Sequence, residues 1–399
     1  MREHKDLRAL CRGGLSAIFA LAAFPACGAE GIDRDVIANP PPSARLLVAS
    51  GVDYEATMVV SEGKKPDQRI SIVRSGPWQI ERSLDSPDQS VTYSNFDTGT
   101  SIVITRNSDG SYRSLSISRS PSDGSGHDVH RTKTDQTDSV LGENCTVWRS
   151  TRGSATGYLD CVTTDGIDLW TRVELTSGYV WRSARVTKLV RRDISPEEVQ
   201  FPGEVLDWST WYQSPPQTVS EPAGARNYEV QLQEHFQRAG EDRLTTIVHR
   251  RRGGEEFSEH RGWRGARVNF TSAILSLSYT EGPDGRADHL GIRRRDALST
   301  GDNTARLENL TRRTDRTETV LGENCTWFDI APGMADGSNW ECRTIDGIAV
   351  VLDHSGSRPR TVAISRAISI RREQVTERDM VPPPKLFDWA TWGVRRPAR

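Results

Sequence analysis

The residues of this 399-residue chain most able to do chemistry are its cysteines, a pair of histidines and two repeated aspartates. His127-Asp128-Val129-His130 could bring two imidazoles to one metal ion, but it sits among Ser, Gly and Asp and has no counterpart later in the chain. It reads as a solvated loop. Asp165 and Asp346 are each followed by glycine. Paired carboxylates suit acid–base work, yet Asp-Gly is first of all a turn dipeptide. No serine stands in a Gly-x-Ser-x-Gly turn, and Gly153-Ser154 and Gly356-Ser357 read as loop residues without a base at reach. Cysteines with no C-x-x-C spacing and scattered histidines leave no metal site and no cofactor to expect. The residues point away from an enzyme.

The cysteines belong to a larger pattern. Val140-Leu-Gly-Glu-Asn-Cys-Thr146 recurs as Val320-Leu-Gly-Glu-Asn-Cys-Thr326. Each copy is followed by a second cysteine (Cys161, Cys342), by Asp-Gly-Ile (Asp165 to Ile167, Asp346 to Ile348), and by Asp-Trp-x-Thr-Trp (Asp207 to Trp211, Asp388 to Trp392). The chain therefore reads as two copies of one module, residues 45–212 and 226–395, joined by a Pro/Ser/Gly-rich linker at 213–225. Four cysteines allow three connectivities. Only pairing within each copy lets each copy fold as its own unit, which predicts Cys145–Cys161 and Cys325–Cys342. Disulfides imply an oxidising compartment.

The N-terminus agrees with export. Arg2, Lys5, Arg8 and Arg12 precede an apolar run from Leu15 to Phe24 and then small residues, the pattern of a signal peptide over 1–27. The run is shorter than the roughly 20 apolar residues that span a bilayer. Ala26-Cys27-Gly28 resembles the end of a bacterial lipobox, in which Cys27 would carry the lipid, although Phe24 and Pro25 replace the usual Leu and Ser/Ala. Ordinary cleavage, for instance after Ala29, is the alternative. Residues 28–44, with Pro40-Pro41-Pro42, read as a disordered, stiff polar tether. A net charge of −2 with mixed signs gives no footprint for nucleic acid.

The modules alternate with period two, as half-buried strands do. Tyr54, Ala56, Met58 and Val60 share one face; Ile102 and Ile104 should meet Leu115 and Ile117 across the turn ending at Gly110. Leu275, Leu277 and Tyr279 should meet Leu290 and Ile292 in the same way. In the cysteine hairpins, Cys145 is expected opposite Cys161, Val147 opposite Leu159, and Trp327 opposite Trp340. The extra residue of the second copy is expected in the loop from Ala331 to Ser338. The arginine runs (Arg191-Arg192, Arg250 to Arg252, Arg293 to Arg295, Arg371-Arg372) read as solvated strand edges that discourage aggregation. The tryptophans at i, i+3 read as one side of a helical turn that lids the open end of the sheet.

Tyr54-Glu-x-x-Met58, Leu141-Gly-x-x-Cys145, Cys161 to Ile167 and Cys342 to Ile348, and the Pro-rich terminal clamps together resemble the lipoprotein carrier (LolA/LolB-like) superfamily and related periplasmic domains. The resemblance implies a mainly β fold: two strongly curved, unclosed antiparallel sheets with a few short helices. It also implies a lipid or acyl-chain ligand, a place in the periplasm or on the outer membrane, and membrane attachment through the lipid on Cys27. The expected ligand cavity is lined by Met58, Val60, Ile102, Ile104, Leu115 and Ile117, with a filled core as the alternative. A structural or docking protein of the envelope, with a protein partner, is the second expectation.

Overall fold

The computed structural model describes residues 52–394 except 87–88, 120–129, 153–155, 176, 213–226, 239–240, 296–310, 331–338, 355–360 and 373–374. The leader, Cys27, the tether, the linker and His127 lie outside the described residues. The fold is mainly β. The first half contributes β1 (Tyr54–Glu62), β2 (Gln68–Ser75), β3 (Trp78–Ser83), β4 (Gln89–Asn95), β5 (Thr100–Arg106) and β6 (Tyr112–Arg119). It continues with β7 (His130–Val140), β8 (Glu143–Arg152), β9 (Thr156–Val162), β10 (Asp168–Leu175) and β11 (Val180–Arg191). The second half contributes β12 (Tyr228–Arg238), β13 (Glu241–Arg252), β14 (Glu255–Gly262), β15 (Gly265–Thr271), β16 (Leu275–Glu281) and β17 (Ala287–Arg294). Its remaining strands are β18 (Arg312–Val320), β19 (Glu323–Asp329), β20 (Trp340–Thr344), β21 (Ala349–Asp353) and β22 (Thr361–Arg372).

Every pairing is antiparallel, and the strands form one sheet. From one edge to the middle the order is β7-β8-β9-β10-β11-β1-β2-β3-β4-β5-β6. It then passes to β17-β16-β15-β14-β13-β12-β22-β21-β20-β19-β18. Each strand of the first half thus has a counterpart eleven places on in the second. Two separate sheets were expected; the halves instead share an edge. At that seam Leu115 lies opposite Ile292 and Ile117 opposite Leu290, about a centre at Ser116 and Gly291. The same two positions meet twice, in the manner of an isologous interface.

Side-chain parity decides where the cores sit, because successive residues of a strand point to opposite faces. Met58 lies opposite Ile70, and Ala56 opposite Ile72, on a face buried in an apolar cluster with Val60, Val147 and Cys161. On β2 the next residue, Val73, points the other way and lies opposite Ile80. From Ile80 the row runs through Tyr93 and Ile102 to Ile117 without a register shift. These residues form a second cluster, continuous across the seam with Leu290, Tyr279, Val268 and Phe257. The outer strands of the second half have their own cluster around Val230, Leu232, Ile247 and Trp327. One sheet therefore buries one face at its centre and the opposite face toward the end of its first half.

The central cluster is closed by short helical turns, Pro196–Val199, Gly203–Leu206 and Trp208–Trp211, and by their counterparts Glu377–Met380, Pro384–Phe387 and Trp389–Trp392. Local chemistry sets each turn. Glu198 accepts from the Ser195 N–H (3.1 Å), Asp379 from the Thr376 N–H (2.8 Å), and Asp207 and Asp388 from the N–H two residues on. Such caps satisfy amide donors that have no helical partner.

Candidate functional site

Each half staples a hairpin at the same place. Cys145–Cys161 and Cys325–Cys342 are bonded, as the repeat predicts, with Cα atoms 5.3 and 5.4 Å apart. The register differs from expectation by two residues: Val147 lies opposite Cys161 and Trp327 opposite Cys342, while Arg149 faces Leu159 and Asp329 faces Trp340. An offset of two keeps every side chain on its face, so the alternation pattern could not tell the two registers apart. The second pair of cysteines is separated by one residue more than the first, and residues 331–338, where the extra residue is expected, lie outside the described residues.

Beside each staple lies an ionic bracket. Arg191 donates to Asp165 (2.8 Å) and to Glu143 (2.8 Å); Arg372 donates to Asp346 (2.8 Å) and to Glu323 (2.7 Å). The aspartates also accept from Thr163 and Thr344. Burial pushes the Asp165 carboxyl up, and the hydrogen bonds from Arg191 and Thr163 outweigh it, leaving it below its ordinary range. For Asp346 the Arg372 hydrogen bond is the largest influence and acts in the same direction. The repeated aspartates are thus turn residues locked to an arginine. The arginine runs are expected at strand edges, but β11, β13 and β22 are paired on both sides. Arg191, Arg192 and Arg372 stay part-exposed while holding carboxylates, Arg192 that of Glu198 (2.7 Å), and Arg250 holds that of Glu229 (2.7 Å).

The bracket anchors a strained tip. Leu141 and Leu321 take φ of 55° and 53°, the left-handed region, in two-residue turns completed by Gly142 and Gly322. That backbone costs an L-residue about 1–2 kcal/mol. Both leucines are more than half exposed. A sequence signal existed, since Leu-Gly holds the place where Asn-Gly would relax the turn.

The six residues expected to line one cavity do not meet. Met58 and Val60 belong to the end cluster; Ile102, Ile104, Leu115 and Ile117 belong to the central one, on the opposite face. All six are buried among apolar neighbours. A pocket of ≈ 270 Å³ lies elsewhere, lined by Arg312, Arg313, Thr314, Asp315, Asp329 and Trp340 beside the β18 edge. Among the described residues no group of three or more His, Cys, Asp or Glu could hold a metal.

The closing tryptophans cover the centre of the sheet, not its open end. Trp211 and Trp392 are buried, and their indole N–H groups donate to the carbonyls of Val205 (2.9 Å) and Leu386 (3.0 Å). Trp208 stacks on Tyr212 and meets Phe270 of β15 edge-on; Trp389 stacks on Phe201 from the first half. Each clamp therefore grips the other half as well as its own: Thr100 donates to the Trp392 carbonyl and Arg294 to that of Thr210.

A row of buried polar residues crosses the first half. Arg74 lies opposite Gln79, Gln79 opposite Ser94, and Ser94 opposite Ser101. Arg74 is 1% exposed, with Phe96 against the face of its guanidinium at 4.3 Å. Its Nε and Nη2, the Gln79 Oε1 and the Ser94 Oγ have no hydrogen-bond partner. Groups like these are uncommon in native interiors. Sequence reasoning missed the row, because Arg74 sits in an ordinary alternating strand.

No protein-family model matches the chain, and no curated protein does. Among solved structures, MucB in complex with MucA(peri) is 13% identical over 68% of this chain and 96% of its own, with a TM-score of 0.26. The Pseudomonas aeruginosa MucA/MucB complex is 12% identical over 62% and 89%, TM-score 0.27. A putative outer membrane lipoprotein-sorting protein domain from Vibrio parahaemolyticus is 9% identical over 37% and 89%, TM-score 0.16. At these scores function is argued from the chain's own residues.

Proposed function

We propose that this is an exported cell-envelope protein, anchored through a lipid on Cys27, that works by binding an apolar ligand or acyl chain rather than by catalysis. Its two halves are read as copies of one module. The observation that carries the reading is the pair of buried disulfides, one in each half. Such bonds persist where the surroundings are oxidising, and they stand in a chain whose N-terminus reads as a signal peptide. The site is assigned to the first half's end cluster, an apolar interior with the buried Arg74 at its rim and Tyr54, the first residue of β1, in its wall. Native mass spectrometry of protein purified from the envelope tests this: an acylated mature mass, two disulfides and a bound amphiphile are expected. A mass with no acyl addition removes the anchor, and no ligand removes the binding reading.

The second reading, a docking protein, is favoured by one observation: a strained, exposed leucine is kept at the same tip of both halves. Polar substitution of both tips should then weaken capture of a partner while leaving amphiphile binding alone.

A further inference from the structure

We infer that the first half holds a receptor for a single carboxylate at Arg74. The two unpartnered nitrogens, Nε and Nη2, share one edge of the guanidinium. That edge is the one a carboxylate grips with two parallel hydrogen bonds; Arg69 uses it on Asp85 in this same molecule. The second half shows what should lie there. Tyr54 stands opposite Arg74 as Tyr228 stands opposite Arg251. Arg251 lies opposite Glu256 and pairs with it at 3.5 Å; the matching residue of the first half is Gln79. The first half thus sets a buried arginine opposite an amide where the second half has a carboxylate; that arginine donates to the Tyr54 hydroxyl, and the Asp168 and Glu81 carboxylates lie near Tyr54. Gln79 donates its Nε2 to Glu81 (2.8 Å), leaving its Oε1 and the Ser94 Oγ to line the place.

An external carboxylate would supply the missing partner. The same face continues into Ile72, Ile70 and the apolar end cluster, so an acyl chain attached to that carboxylate would find apolar surface beside it. This part of the inference rests on the proposed function; the receptor itself does not.

The test is thermal unfolding of the full chain in sodium acetate, sodium octanoate or sodium chloride at matched ionic strength. Both carboxylates should raise the melting temperature above chloride by about 2 °C or more. Gln79→Glu should raise it without any ligand and remove the response, because it restores the pair of the second half. Arg74→Met should also remove the response. Equal melting temperatures of the wild type in all three salts would overturn the receptor, whichever variants fold. Octanoate acting at far lower concentration than acetate assigns the site to an acyl carboxylate. Equal potency keeps the receptor and removes the acyl ligand.

Discussion

The two halves of the sheet agree where they close and differ where they are lined. Both staple the same hairpin, both tie an Asp and a Glu to the last arginine of the same strand, and both bury the second tryptophan of the clamp. The inner positions of β2 and β13 and their neighbours diverge. Ile72 and Ser83 in the first half become His249 and His260 in the second. Glu55, half-exposed and 3.4 Å from Arg192, becomes Glu229, 3% exposed and held by Arg250 and Arg371. The closing parts match between the halves, while the lining of the interiors does not. These differences lie on β1–β3 and β12–β14, not on the staples.

The likeness should survive its most severe test. Replacing Cys145 and Cys161 by alanine should cost about 3 kcal/mol, and replacing Cys325 and Cys342 should cost the same, since the closed loops differ by one residue. Denaturant unfolding of the two double variants measures it. A cost confined to one half would break the equivalence.

The next effect should be unequal. Burial pushes the Glu229 carboxyl up, and hydrogen bonds from Arg250, Arg371 and Gln231 outweigh it, so the group stays ionised. Glu229→Gln leaves two arginines facing an amide and should cost about 2–3 kcal/mol. Glu55→Gln removes an exposed pair and should cost under about 1 kcal/mol. Similar losses would mean that burial of Glu229 does not distinguish the halves.

The histidines sharpen the contrast through pH. Burial lowers His249, and burial with His249 and Arg267 nearby lowers His260 to about 4. The rings stand 5.8 Å apart edge to face, with Arg251 and Glu256 further along the same face. A folded value below the unfolded one means that the unfolded chain binds more protons, so stability is complete above about pH 6.5 and falls as the pH drops toward 4. His289, also lowered by burial, adds to the slope. Giving the second half the first half's residues, His249→Ile with His260→Ser, should reduce the loss between pH 6.5 and 5. The ionic brackets, with depressed carboxyl values, fail only at lower pH. An unchanged slope would show that the pair stays hydrated.

Much of this was legible in the sequence. Strand alternation, the Ile102–Ile117 and Leu277–Ile292 pairings, the disulfides and the tryptophan turns follow from local period and repeat. The failures share one cause, relations between strands. Alternation says that one face of a strand is buried but not which, so it groups Met58 with Ile102 although β2 sends its two faces to different cores. The arginine ties join residues such as Glu229 and Arg371, far apart in sequence. The shared seam did leave a trace. β6 carries Ser114, Ser116 and Ser118 between its apolar residues, with its charges, Arg113 and Arg119, confined to the two ends. The true edges, β7 and β18, carry Lys133 and Asp135, and Arg313 and Asp315, and both are bulged.

The smallest predicted effect is a gain, and it bears on the leucine tips that the halves share. In a two-residue turn with positive φ at both positions, asparagine before glycine is favoured and leucine is strained. Neither leucine belongs to an apolar cluster, so little packing would be lost. Leu141→Asn and Leu321→Asn should therefore each stabilise the fold by about 1 kcal/mol, additively, because the tips lie on different halves. Urea midpoints of the two single variants and the double measure it. A stabilisation at both tips would mean that strain has been retained twice against stability, which argues for work done by the exposed side chain. A loss at either tip would show that the leucine packs, and would end the docking reading for that half.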